Sequence, residues 1–210
     1  SAMSRYESSK FIKDPKTMNQ DALKQACDTL GWKYKLENNV LYVTDAKQSS
    51  EMYGEYVLKV AGDTVTYNSY YLDNGQQLIE ELQETFFPLN VEYAKKSVVD
   101  AFSSNGFTFQ RIWRYVKKEN EVERFAMVGY TKDPAETEKR YEIVFSIFKD
   151  GSVVTDSNYL PDDVNALAHK SMDDLQKLFG NDRVMTKKPE YDIFMRTHKR
   201  VNSTTTTVKS

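Results

Sequence analysis

Gly31 and Gly106 each close an amphipathic helical pattern and stand directly before a large aromatic residue, and this repeated punctuation restricts what the chain can fold into. Ala22, Leu23, Ala26, Cys27 and Leu30 recur at helical spacing ahead of Gly31-Trp32, as Val91, Ala94, Val98, Ala101 and Phe102 do ahead of Gly106-Phe107. Glycine takes left-handed backbone without a Cβ penalty, so each pattern reads as a helix with a firm stop. A shift of 75 lays Ala26 on Ala101, Gly31 on Gly106 and Trp32 on Phe107. Shifts of 89, 88 and 93 lay Gly62 on Gly151, Tyr71-Leu72 on Tyr159-Leu160, and Leu82 and Phe86 on Leu175 and Phe179. Loop insertions in a second copy produce such a growing offset. The expectation is an α+β chain, a tandem repeat of an α-β-β-β-β-α unit with antiparallel sheets.

Between the stops the apolar period changes from helical to strand-like. Thr17-Met18-Asn19-Gln20 has the form of a capping box for the first helix. Trp32, Tyr34 and Leu36 alternate with Lys33 and Lys35, Asn38-Asn39 turns, and residues 40–43 return as a hairpin. Tyr56, Leu58 and Val60, the turn Ala61-Gly62-Asp63 and residues 64–71 give another, and Asp73 with Gln76 opens a closing helix carrying Leu78, Ile79, Leu82, Phe86 and Phe87. Asn90 reads as the cap of the next helix. Residues 107–118 make a long strand and 122–130 its partner; residues 141–148 and 152–159 flank the turn Lys149-Asp150-Gly151, and Asp162 caps a last helix ending at Gly180. The expected units are 3–88 and 89–180. Residues 181–210 follow as a basic tail, polar and β-branched toward its end and read as flexible.

Hydrophobic residues at 40% and charged residues at 29% describe a globular chain rather than a disordered one. The single Cys27 rules out an intramolecular disulfide and points to a reducing compartment. No apolar run is long enough to span a bilayer and no signal peptide is recognisable, so the expectation is a cytoplasmic protein, in the host-cell cytoplasm if phage-encoded, with no membrane partner. Ser1-Ala2 ahead of Met3 reads as an expression remnant. Phosphate-loop, dinucleotide, nucleophile-elbow and H-E-x-x-H motifs are missing, and one Cys with two His makes a soft-ligand zinc site unexpected. The chain is therefore read as non-enzymatic, with no catalytic residues, metal or cofactor.

Charge is unevenly placed: residues 181–210 carry seven Lys/Arg against three Asp/Glu, which leaves about −6 of the net −2 on the preceding 180. Strand alternation would send Phe107, Phe109, Arg111, Trp113, Tyr115 and Lys117 to one face. Rings interleaved with cations suit single-stranded nucleic acid, since bases stack on rings while Arg and Lys neutralise phosphates. Arg111, Trp113, Arg114, Tyr115, Lys117 and Lys118 are the candidate contacts there, and Lys187, Lys188, Arg196, Lys199 and Arg200 are those of the tail. The alternative is that the rings are core and the cations flank it, with Arg111 stacked on Trp113 or Tyr115. A second cluster, Tyr67, Tyr70 and Tyr71 around Asn68-Ser69, reads equally as a stacking surface or a Tyr-rich edge strand.

Met3-Ser4-Arg5-Tyr6, Leu30-Gly31-Trp32, and Tyr93-Ala94-Lys95 through Val98, Val99, Asn105, Gly106 and Phe107 resemble a family of uncharacterised proteins encoded by plastids, cyanobacteria and large phages, over residues 3–115. The resemblance implies a fold rather than an activity, and the complete second copy departs from shorter relatives. In two-unit size, mixed charge and basic tail the chain is also similar to the chimallin C RNA-binding proteins of nucleus-forming jumbo phages. That likeness implies binding of phage messenger RNA and carries over no site residue. The expected function is single-stranded RNA binding; the competing expectation is an adaptor or assembly factor that buries its aromatic faces against a protein partner or by self-association.

Overall fold

The computed structural model of the chain describes residues 5–47, 56–113, 118–136 and 139–178. These residues form an α+β architecture of three helices and two antiparallel sheets, one of five strands and one of four. The chain divides into two compact units, Ser1–Asn90 and Val91–Ser210.

The first unit opens with β1 (Tyr6–Lys10), followed by α1 (Gln20–Leu30), β2 (Lys33–Glu37), β3 (Val40–Asp45), β4 (Leu58–Ala61) and β5 (Thr64–Asn68). Its sheet runs β1-β5-β4-β3-β2. The strand β1 precedes the expected helix-first unit. Its sequence, YESSK, is exposed along its whole length and has no apolar alternation to betray it. The N-cap of α1 is Asn19, whose side chain accepts from the Ala22 N–H at 2.9 Å, while the expected cap, Thr17, falls in a single 3-10 turn. At the other end Gly31 sits at φ +73° and the Trp32 N–H donates to the Cys27 carbonyl at 2.9 Å. Asn38 and Asn39, both at positive φ, make the tight turn between β2 and β3, as a two-residue hairpin needs. Leu41, Val43, Leu58, Val60 and Val65 alternate onto the buried face of this sheet.

The second unit contains β6 (Thr108–Ile112), β7 (Glu121–Tyr130), β8 (Arg140–Phe148), β9 (Val153–Ser157) and α3 (Asp162–Leu178), with its sheet ordered β6-β7-β8-β9. Phe125 and Phe145 stand opposite each other in register and stack at 5.3 Å, and Phe102 meets Phe145 edge-on at 4.9 Å. Val98, Phe107, Leu160 and Val164 complete a core that lies on one face of the sheet. Gly106 sits at φ +88° and the Phe107 N–H donates to the Phe102 carbonyl at 3.0 Å, the same closure as at Gly31.

Two helices were expected between the sheets, one closing the first unit and one capped by Asn90. The structure instead has a single helix, α2 (Gly75–Ser103), with Pro88 inside it. Proline removes one N–H and crowds the preceding turn, so Pro88 marks a weak point that the helix nevertheless crosses. Asn90 caps nothing. It is 1% exposed, donates to the Thr17 carbonyl at 2.8 Å and accepts from the Asn19 N–H at 2.9 Å. The sequence boundary at residues 88/89 thus falls within α2.

Candidate nucleic-acid interface

The long strand expected over residues 107–118 is shorter and is not flat. β6 ends at Ile112, and the Trp113 N–H makes one further bond, to the Arg124 carbonyl at 2.9 Å. Phe109 stands opposite Met127 but Arg111 opposite Ala126, so Gln110 is the extra residue of a bulge. A one-residue insertion resets strand parity. The expected single face is consequently divided: Phe109 stacks on Phe125 at 5.8 Å, whereas Arg111 turns to the other side, where Glu142 lies. Phe107 is buried in the core. Arg114, Tyr115, Lys117 and the tail candidates Lys187, Lys188, Arg196, Lys199 and Arg200 lie outside the described residues.

What remains of the expected site is a pair. The Arg111 guanidinium lies over the half-buried Trp113 ring at 4.3 Å from its centroid, and its Nη2 is 3.3 Å from Glu142 Oε1. Arg111 is exposed, Arg140 donates to the Gln110 side chain, and Lys118 is half-buried with its backbone N–H directed to Glu121. Phe109 and Ile112, 42% and 47% exposed, lie along the same edge strand. A guanidinium stacked over a half-buried ring can receive a phosphate, but Glu142 competes for the charge.

Register reveals a second surface that the sequence reading missed. On the outer face of the first sheet, Lys35 stands opposite Tyr42, Tyr42 opposite Lys59, Lys59 opposite Thr66, and Thr66 opposite Ser8. Lys35 and Ser8 are exposed, and the three between are half-buried. Lys59 Nζ lies 5.9 Å from the Tyr42 ring centroid, Tyr56 packs against that ring at 5.7 Å, and the Ser8 and Thr66 hydroxyls are 3.0 Å apart. Lys33 and Glu37 flank Lys35 at alternate positions of β2, while Tyr6, 58% exposed, and Lys10 flank Ser8 on β1. Lys33 and Lys35 alternate with Tyr34 and Leu36 in the sequence. That parity signals a basic face on β2, but joining it to Tyr42, Lys59 and Tyr6 requires the register of five strands.

The second tyrosine cluster is not an edge strand. β5 lies between β1 and β4, and it ends at Asn68 before Tyr70 and Tyr71, whose rings meet edge-on at 4.9 Å. Burial, with Asp28 adding to it, pushes the Cys27 thiol up to about 12, so this cysteine is not a nucleophile at neutral pH. A cavity of about 280 Å³ opens where β8 begins and β9 ends; Arg140, Glu142, Asp156, Ser157 and Tyr159 line it, without histidine or cysteine. Among the described residues no helix is long and apolar enough to cross a membrane. Comparison of the chain with protein-family models, curated proteins and solved structures finds no match.

Proposed function

We propose that the protein is a non-enzymatic binder of single-stranded RNA acting in the cytoplasm. The observation that carries this reading is the exposed Arg111 stacked over Trp113 at the end of β6, the edge strand of its sheet among the described residues. A guanidinium already held flat against a ring is preorganised to face a phosphate while the open part of that ring offers stacking surface. The likeness to RNA-binding proteins of jumbo phages points the same way, with phage messenger RNA as the ligand and the basic tail as an electrostatic grip. Matching helix stops and four-strand meanders support reading the two units as copies of one ancestor.

The test is a titration of the full chain with a fluorescent single-stranded RNA at rising salt. Binding should be measurable at low ionic strength and fall steeply as salt is added. Absence of binding at low salt would end the proposal. One observation favours a second reading, a protein-interaction adaptor: Phe109 and Ile112 are exposed on a strand whose outer edge is unpaired among the described residues. On that reading Arg111→Ala with Trp113→Ala alters oligomeric state or partner capture and leaves RNA affinity untouched.

A further inference from the structure

We infer that the principal RNA platform is the outer face of the first unit's sheet, with a single strand laid across the β-strands along Lys35, Tyr42, Lys59, Thr66 and Ser8. This inference rests on the RNA-binding reading and relocates its site. The row alternates cation, ring, cation and then two hydroxyls, and each neighbour is a direct cross-strand partner. Five strands spaced by ~4.8 Å make the row ~19 Å long, enough for a short run of unpaired bases.

Charge and chemistry select the occupant. Lys33, Lys35, Lys59 and Lys10 stand against Glu37 and against Asp45, the cross-strand partner of Lys33, and Lys10 is held 3.2 Å from Asp63 at the turn, so the cationic middle of the face is Lys35 and Lys59. Lysine is depleted at the cores of protein interfaces, and a hydrated ammonium resists burial under an apolar partner. A polyanion asks for the opposite: its phosphates stay wet beside lysine ends. Tyr42, under Lys59, and Tyr6, half open at the edge, supply two flat surfaces for bases. A duplex hides its base faces, so rings offered for stacking select a single-stranded ligand. Stacking on the open part of a ring tolerates any base. Little sequence preference is expected.

Anisotropy titration of the full chain with a labelled mixed-sequence single-stranded RNA, repeated over a salt series, tests this. Tyr42→Ala should weaken binding roughly tenfold, in line with the loss of one stacking partner. Lys35→Ala with Lys59→Ala should flatten the slope of log K against log salt by ~1.4, since each phosphate contact contributes ~0.7. Lys24→Ala, on α1, should change neither. If Tyr42→Ala fails to fold, the exposed pair Lys33→Glu with Lys35→Glu decides, and RNA affinity must drop. Unchanged affinity in the folded platform variants, with loss in Arg111→Ala/Trp113→Ala, overturns the location and leaves the function standing. No binding by the parent chain overturns both.

Discussion

The Asn90 side chain donates to the carbonyl of Thr17 at 2.8 Å, tying the middle of α2 to the turn before α1. The same amide accepts from Asn19, so one buried side chain serves two backbone groups. Replacing it takes that partner from both groups, one of them the carbonyl of the buried Thr17. Asn90→Ala should cost about 2 kcal/mol. Urea denaturation should show the transition midpoint moving down with no change in far-ultraviolet circular dichroism before the transition.

Gly75 opens α2, and a Cβ placed there would lie 2.3 Å from the ring of Tyr67. Alanine ordinarily gains roughly 0.5–1 kcal/mol over glycine inside a helix. Here the clash should outweigh that gain. Gly75→Ala is expected to lower the melting temperature, and Gly75→Ala combined with Tyr67→Ala should recover part of the loss relative to Tyr67→Ala alone. Additive effects would show that the ring moves aside freely.

Glu121 is buried, and Arg124 grips it twice, through Nε at 3.1 Å and Nη2 at 2.7 Å. Removing the guanidinium takes the cationic partner from a buried carboxylate. Arg124→Met should destabilise the protein by about 3 kcal/mol, and adding Glu121→Gln should return a large share of it. A double-mutant cycle by chemical denaturation reads the coupling directly.

Asp163 supports the start of α3. Hydrogen bonds from the Lys132 backbone N–H, opposed by desolvation and joined by Thr131 and the Val164 N–H, hold its carboxyl below the usual 3.8. A depressed folded value means that its contribution is complete above the unfolded pKa and is lost as pH falls through the folded one. The stability difference between the parent and Asp163→Asn should therefore be constant near neutrality and shrink below about 3.8. A difference that grew on acidification would contradict this assignment. Asp63, Glu136 and Asp174 are lowered too, so only the difference between the two proteins is diagnostic.

Local chemistry was readable where one residue decides one turn. Gly31, Gly106 and the Asn38-Asn39 pair each announce a backbone that other residues avoid, and each is found in that backbone. Where two instructions conflicted, the reading failed. Pro88 and Asn90 together look like a helix end, yet burial of Val91, Ala94 and Val98 on one side and Leu82 and Phe86 on the other carries the helix through. β1 gave no hydrophobic pattern because none of its residues is buried. The bulge at Gln110 was illegible for a different reason: parity is counted along a strand, but a bulge is defined only against its partner. The same dependence on partners hid the row through Tyr42 and Lys59, whose members are distant in sequence.

Because Gly75–Asn90 falls in the first unit and Val91–Ser103 in the second, α2 has no owner. A cut at residue 88 would leave a raw helix end on each fragment, with up to four unsatisfied groups apiece, and would part Asn90 from Thr17. Gene dissection should thus recover stable halves only when residues 75–103 are written into both. The protein cannot be divided at its middle without copying that helix.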